Sequence, residues 1–337
     1  MSTVLQALND AMHEAMARDE RVLFLGEDLL DPYGGAFKVA KGLSTRFPDR
    51  VLSTPISEAA ITGIAAGLAM RGMRPIIEIM FGDFVALAFD QLLNHACKYR
   101  WMYNGKVHVP MVVRTPMGGR RGYGPTHSQC TEKHFLGVPG LRVVAPNALC
   151  DPKRLLLAAI LSDDEPTLFV EHKLLYLSRY NQSDSLPHLE FRQTNSSDQL
   201  YPSVSVRIAG VPKADITVTT YGYMADLTLD AVWRLAVEQE VFAEVIVPTC
   251  IAPLDSEPVV SSAMRTGRLL TVEEGSVSLG WGSEVLSLVA ERTSKGRSVV
   301  ARRLGAWDLA VPCSRPLENA VLPSVQDIYD ATMQLIH

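Results

Sequence analysis

The sequence predicts an α/β protein built from two open, mostly parallel sheets. Three observations carry this reading. The chain has 337 residues, room for two ordinary domains. Short apolar runs alternate with helix-like segments along its first half, the pattern of a parallel sheet covered on both faces. A polar stretch begins at about residue 178, and a second α/β series follows it.

The elements follow in order. Val4, Leu5, Leu8, Met12 and Met16 recur at helical spacing and predict an N-terminal amphipathic helix. "RVLFLGED" (21–28) predicts a strand ending in acids, and "SEAAITGIAAGLAMRG" (57–72) a small-residue helix with Ser57 as N-cap. "RPIIEIM" (74–80) predicts a strand and "FVALAFDQLLNHACKYRWMY" (84–103) a helix. "VPMVVRTP" (109–116) is a strand running into a Gly- and Arg-rich loop. "LRVVAP" (141–146), the helical "DPKRLLLAAILSD" (151–163) and "PTLFVEH" (166–172) close the first series. The polar, weakly periodic segment after residue 178 predicts a long surface connection. In the second series "DITVTTYG" (215–222), "EVIVPTCIAPL" (244–254), "RLLTVEEG" (268–275) and "SVVARRLG" (298–305) predict strands, and "DLTLDAVWRLAVEQE" and "SVQDIYDATMQLIH" predict helices.

Composition excludes several function classes. The formal net charge is −5 and the Lys and Arg residues are scattered, so no nucleic-acid partner is expected. No apolar run reaches the roughly 20 residues of a membrane span, and the N-terminus lacks a signal-peptide core. Five cysteines without a CxxC pair read as reduced thiols. A soluble, cytoplasmic protein is expected, or a matrix protein if an organelle leader is missing from this chain.

The common single-chain catalytic signatures fail: there is no GxxxxGK[ST] loop, no HExxH and no GxSxG. "GGRRGYG" (118–124) is not a dinucleotide fingerprint. Three features remain. Glu58 places a carboxylate at the head of an apolar helix; it is either a first-turn acid compensating the helix dipole or a carboxyl held in an apolar pocket to share a proton with a ligand. His127, in "GPTHSQ" (124–129), follows a strand and a Gly-rich loop; it is either a satisfied loop histidine or a proton donor and acceptor. Phe81 and Phe84, in "IMFGDF" (79–84), are either core residues or a flat face for an aromatic ligand. Arg120 and Arg121 either meet an anion or are solvated surface.

Ordered blocks then make the chain recognisable. "GED" (26–28), "YGGAFKVAKGL" (33–43), "TPISEAAITGIAAGLA" (54–69), "RPIIEIMFGDF" (74–84), "AFDQLLNHACKYR" (88–100), "THSQ" (126–129) and "PGLRVVAP" (139–146) occur in sequence. "DITVTTYGYM" (215–224), "APLD" (252–255), "TGRLLTVEEG" (266–275) and "PLENAVLPSVQDI" (316–328) follow. Together they resemble the beta subunit of the decarboxylating component of 2-oxoacid dehydrogenase complexes, of pyruvate, branched-chain or acetoin type. "FGDF" and "ACKYR" look closer to the branched-chain type.

The resemblance implies a thiamine diphosphate pyrimidine-binding domain over 1–178, a linker over 179–205 and a transketolase C-terminal-type domain over 206–337. It implies a heterotetramer of two alpha and two beta chains with a beta–beta contact, served by a lipoyl acyltransferase core. Thiamine diphosphate is the implied cofactor. Mg2+ would be held mainly by the alpha chain, since no GDG-type motif occurs here. By resemblance, Glu58 matches the glutamate that contacts a ring nitrogen of the aminopyrimidine, and Phe84 the aromatic ring packed on it. Ile56 and Met80 match pocket-lining positions. His127 matches the histidine that serves proton transfer as the acyl group passes to lipoamide. Asp163 matches an acidic ligand of a structural K+ site, where Glu165 stands in place of the common Asn. A related half-enzyme with another acyl acceptor, and a non-catalytic assembly scaffold, are the competing readings.

Overall fold

The structure, a computed structural model, describes residues 2–180, 188–194, 200–293 and 298–337. Helix α1 (Val4–Arg18) starts at a capping box between Thr3 and Gln6, which satisfies two otherwise orphaned N–H groups. It buries Val4, Leu8, Met12 and Met16, while Leu5 is half-buried. Strand β1 (Val22–Gly26), the short α2 (Leu43–Arg46) and β2 (Val51–Ser53) follow. Then come α3 (Glu58–Met70) and β3 (Arg74–Glu78). Ser57 takes the N-cap position of α3, but its side chain makes no capping bond.

The helix expected over 84–103 is broken into three kinds of turn. A 3-10 segment spans Gly82–Ala88, a π-helix Gln91–Ala96, and α4 Cys97–Met102. Close packing accounts for the first: a Cβ on Gly82 would lie 2.2 Å from Met117 Cγ, so the chain presses against the neighbouring strand. Strands β4 (Val112–Met117) and β5 (Arg142–Val144), helix α5 (Pro152–Leu161) and β6 (Thr167–His172) complete the first series.

The segment expected as a connection, 179–205, contains β7 (Leu189–Thr194) and the start of β8 (Ser203–Ile208). These two strands pair antiparallel, and β7 forms an edge of the second sheet. Its polar sequence is that of an exposed edge strand. Next come β9 (Ile216–Thr220), α6 (Met224–Gln239) and β10 (Ala243–Pro248). They are followed by β11 (Cys250–Ala252), α7 (Glu257–Thr266), β12 (Arg268–Ser276) and α8 (Trp281–Arg292). Strand β13 (Val300–Ala306) and helices α9 (Arg315–Val321) and α10 (Val325–Ile336) end the chain.

The first sheet runs β11-β5-β6-β4-β3-β1-β2 and the second β13-β12-β9-β10-β8-β7. The single strand expected over 244–254 is therefore two. Strand β10 joins the second sheet, and β11 crosses over to pair antiparallel with β5 in the first. Thr249 makes the transfer: its carbonyl accepts from Ala145 N at 2.8 Å and its hydroxyl donates to Pro202 O at 2.8 Å. The apolar cores are likewise continuous across the sheets. One unites Phe24, Ile76 and Phe169 with Val204, Ile216 and Val245; the other unites Ile77, Val113 and Leu168 with Ile246, Leu269 and Trp281. No helix among the described residues is long and apolar enough to cross a membrane.

Candidate active site

In the first sheet β1 lies between β2 and β3, so the strand order reverses there and leaves a crevice at the carboxyl ends of β1 and β3. The residues singled out from the sequence follow those ends. Glu27 comes directly after β1, Glu58 opens α3 after β2, and Phe81 and Phe84 follow β3. His127 sits in the loop after β4.

Glu58 is buried, with 6 % of its surface exposed. Among the described residues no group donates a hydrogen bond to its carboxyl; only its backbone carbonyl is used, by Thr62 Oγ1 at 2.7 Å. Beside it is Glu27, which the sequence reading passed over except as part of "GED". Glu27 is buried too, and its Oε1 has no hydrogen-bond partner. Burial pushes the Glu27 carboxyl up from its ordinary value, and the charges of Glu58 and Asp28 push it further. The backbone of Ser57 hydrogen-bonds the Glu27 carboxyl and opposes this rise only in part. A buried Glu58 carboxyl without a protein donor, beside an unpaired Glu27 Oε1, is costly unless something else supplies a proton or a donor.

His127 and Phe84 are brought together. The imidazole stands edge-on to Phe84 at 5.2 Å and to Phe81 at 4.7 Å between ring centroids. Its Nδ1 lies 3.1 Å from Thr126 Oγ1, and its carbonyl accepts from Lys173 Nζ at 2.6 Å. Helix α3, which Glu58 opens, packs on the 3-10 segment that carries Phe84. Met80 is half-buried next to Phe81. Ile56, two residues before Glu58, is 80 % exposed.

Below the crevice, Arg114 on β4 is fully buried. It pairs in two-pronged fashion with Glu171 (2.8 Å twice) and donates to Glu78 at 2.8 Å, while Tyr176 donates to Glu171 at 2.7 Å. Burial opposes the Arg114 charge, but Glu171 and Glu78 outweigh it and hold the guanidinium above its ordinary value. Breaking such a pair leaves an uncompensated buried charge, so this network ties the ends of β3, β4 and β6 together.

Arg120 meets an anion, but one supplied by its own chain. It is neither solvated nor free for a substrate. Its Nε donates to Glu274 at 3.1 Å and its Nη2 to Pro323 O at 2.5 Å, both across the domain boundary. Arg121 is exposed, with its guanidinium 5.7 Å from the Tyr123 ring.

Asp163 does not offer a cation site. Its carboxyl accepts from Tyr201 OH at 3.0 Å and Glu165 N at 3.1 Å, and lies 2.6 Å from Arg142 Nε. The guanidinium of Arg74 already donates to the carbonyls of Ile160 and Asp163. Glu165 is engaged by Arg100. A K+ ion would compete with a guanidinium for the same oxygens. Among the described residues no group of three or more His, Cys, Asp and Glu is arranged to hold a metal.

The fold and the crevice define a protein of the transketolase class. The transketolase pyrimidine binding domain family matches residues 1–178, and the transketolase C-terminal domain family residues 207–328. Solved structures agree on the fold. A split-gene transketolase described as an inactive beta4 tetramer superposes with a TM-score of 0.72 at 20 % identity, covering 99 % of this chain and 97 % of that one. A transketolase mutant from Pichia stipitis gives 0.67 at 15 % identity, with 99 % and 45 % covered.

Curated relatives are more specific. The chain is 36 % identical to the mitochondrial pyruvate dehydrogenase E1 component subunit beta of Dictyostelium discoideum, over 99 % of this chain and 90 % of that protein. It is 37 % identical to subunit beta-1 of Arabidopsis thaliana (98 % and 88 %) and 34 % to subunit beta of Rickettsia conorii (99 % and 98 %). The chain belongs to the family of E1 beta subunits, the thiamine diphosphate-dependent decarboxylating components of 2-oxoacid dehydrogenase complexes. These relatives carry the pyruvate name, whereas "FGDF" and "ACKYR" had leaned toward the branched-chain type.

Proposed function

We propose that this chain is the beta half of a divided active site, with Glu58 holding the aminopyrimidine of thiamine diphosphate and an alpha subunit supplying the other half. The observation that carries the reading is a buried carboxyl with no protein donor, beside a second buried acid whose Oε1 is unpaired. A heteroaromatic base entering there would relieve both. When bound, the cofactor supplies the electron sink for decarboxylation of a 2-oxo acid. Glu58 holds or moves a proton at the ring nitrogen it meets. Phe84 offers an apolar face to the ring, and Ile56 and Met80 complete the pocket once the partner covers Ile56. His127, fixed against Phe81 and Phe84, serves the proton transfer that accompanies passage of the acyl group to a lipoyl acceptor.

Exposed apolar residues support a partner. Ile56, Ile64, Leu87, Trp101 and Met102 are all solvent-exposed, and large exposed apolar side chains are what a partner subunit covers. In this reading two alpha and two beta chains assemble with a beta–beta contact, and a lipoyl acyltransferase core receives the product. Mg2+ is held by the alpha chain; potassium at Asp163 is left out, because Arg74 and Arg142 already serve that place. The chain divides as a pyrimidine-binding domain (1–178) and a C-terminal domain whose sheet takes in β7 and β8 from the stretch expected as a connection. The assembly works in the cytoplasm of a bacterium or in a mitochondrial matrix.

The test is co-purification with a candidate alpha chain and thiamine diphosphate, followed by a panel of 2-oxo acids with an artificial electron acceptor. Decarboxylation of pyruvate or a branched 2-oxo acid only when both chains are present is the expected result. An assembled complex that neither binds the cofactor nor consumes any 2-oxo acid contradicts the proposal.

A further inference from the structure

The loop that carries His127 has an unusual backbone. Its base is closed by Gly118 N donating to Gln129 O at 3.3 Å, and alternate residues along it have positive φ: Gly118 (+91°), Arg120 (+69°), Gly122 (+69°) and Gly124 (+78°). Alternating left- and right-handed backbone turns successive N–H groups toward one side, a concave cradle that binds anions. In a loop rich in Gly and Arg, such a cradle reads at first as a site for an anionic ligand.

The protein fills the cradle itself. Glu274, on β12, accepts from Gly119 N at 2.7 Å. Glu318, in the first turn of α9, accepts from Arg120 N at 2.7 Å on one oxygen and from Gly122 N at 3.1 Å on the other. Both acids are buried and both belong to the second domain, more than 150 residues away along the chain. Burial works against the Glu274 charge, but His172, Arg120 and Gly119 N outweigh it and hold the carboxyl well below the usual range.

The far end of the loop is held from the first domain. Lys173, directly after β6, is completely buried and donates from Nζ to the carbonyl of His127 itself at 2.6 Å. The same ammonium lies 5.4 Å from the Phe81 ring, on which the His127 imidazole packs, and 5.8 Å from the Tyr123 ring. A buried ammonium is expensive, and a charged donor makes a hydrogen bond about twice as strong as a neutral one. Its acceptor is the backbone of the residue assigned to proton transfer.

We propose that Glu318 and Lys173 are positioning residues for His127: the second-domain carboxylate holds the cradle of the loop, the buried ammonium holds the His127 carbonyl, and together they fix the imidazole against Phe81 and Phe84. This rests on the reading of His127 as the group that serves acyl transfer. The acid at 318 must be a carboxylate. Its two N–H donors meet separate oxygens, and the amide of Gln would set its NH2 against one of them. At position 173, Met keeps the length and loses the donor.

The experiment uses the enzyme assembled with its alpha chain and cofactor, and measures two rates: decarboxylation with an artificial electron acceptor, and acyl transfer to an isolated lipoyl domain. H127A is the reference, with E318Q and K173M as the tests. H127A should lower transfer by about 100-fold more than decarboxylation, within the usual range for a lost acid–base group. E318Q and K173M should each lower transfer about 10-fold more than decarboxylation, through kcat and not through KM for the lipoyl domain, as misplacement of a catalytic group does. Equal loss in both assays, or no loss of transfer, overturns the positioning role while leaving the His127 reading intact if H127A is selective. An unselective H127A overturns both. If E318Q fails to assemble, K173M decides the matter alone, because it lies in the other domain and removes no cradle contact.

Discussion

Gly118 shows how much one atom matters at this site. Its φ is +91°, and a Cβ there would lie 2.0 Å from Nε2 of His172, the ring that pairs with Glu274 at 3.1 Å. Gly118→Ala should destabilise the protein by about 3 kcal/mol or more, combining backbone strain with overpacking. A denaturant-unfolding loss below about 1 kcal/mol would show that the His172 and Glu274 pair yields freely. Glu58 and His127 were legible in the sequence because each is chemically out of place in its local run. Glu274, Glu318 and Lys173 were not. Locally they are ordinary charged residues, and their roles come from contacts made across the fold. Arg120 was left open for the same reason: its partners lie 154 and 203 residues away.

Among the elements, alternation and helical periodicity located α1, α3, β1, β3, β4, β5, β6, β9, β12 and β13, whereas β2, β7 and β8 were not expected. Two of the other misses have a tertiary cause. The segment 82–102 is apolar enough for one helix, but Gly82 packed on Met117 forces a tighter turn at its start. The run 244–254 is β-like throughout, and only tertiary pairing divides it between two sheets. The start of α8 also carries a pH dependence. Glu273 accepts from Trp281 N and Gly282 N at 2.9 Å each, yet burial outweighs these bonds and raises its carboxyl to about 7. Burial also raises Asp226, in the first turn of α6, to about 7, with Asp230 adding to it. An acid with a raised folded-state pKa contributes stability that is fully present below its unfolded value, about 4, and lost as pH rises through the folded one. The thermal midpoint should therefore fall between pH 5 and pH 8 through these two groups, and Glu273→Gln should shrink that fall. An unchanged slope in the variant would remove Glu273 from the account.

Taken whole, the molecule has two sheets but shared cores. Strand β11 is donated by the second domain to the first sheet, and both apolar clusters run across the boundary. Polar contacts add to this: the buried Tyr221 donates to Glu132 at 2.6 Å, and Lys133 donates to Ser276 and Ser278 nearer the surface. The chain should unfold in a single calorimetric transition, because neither half can lose its structure without exposing the core of the other. Two well-separated transitions would contradict this coupling. An acid without a protein donor on a cooperatively folded chain, two residues from the exposed Ile56, is the arrangement expected of a subunit completed by a partner. The most direct test of that claim is decarboxylation by the complete alpha–beta enzyme carrying Glu58→Gln at saturating thiamine diphosphate. Turnover should fall by about 100-fold or more, with assembly and thermal midpoint retained; turnover close to that of the unmodified enzyme would show that Glu58 has no part in the chemistry.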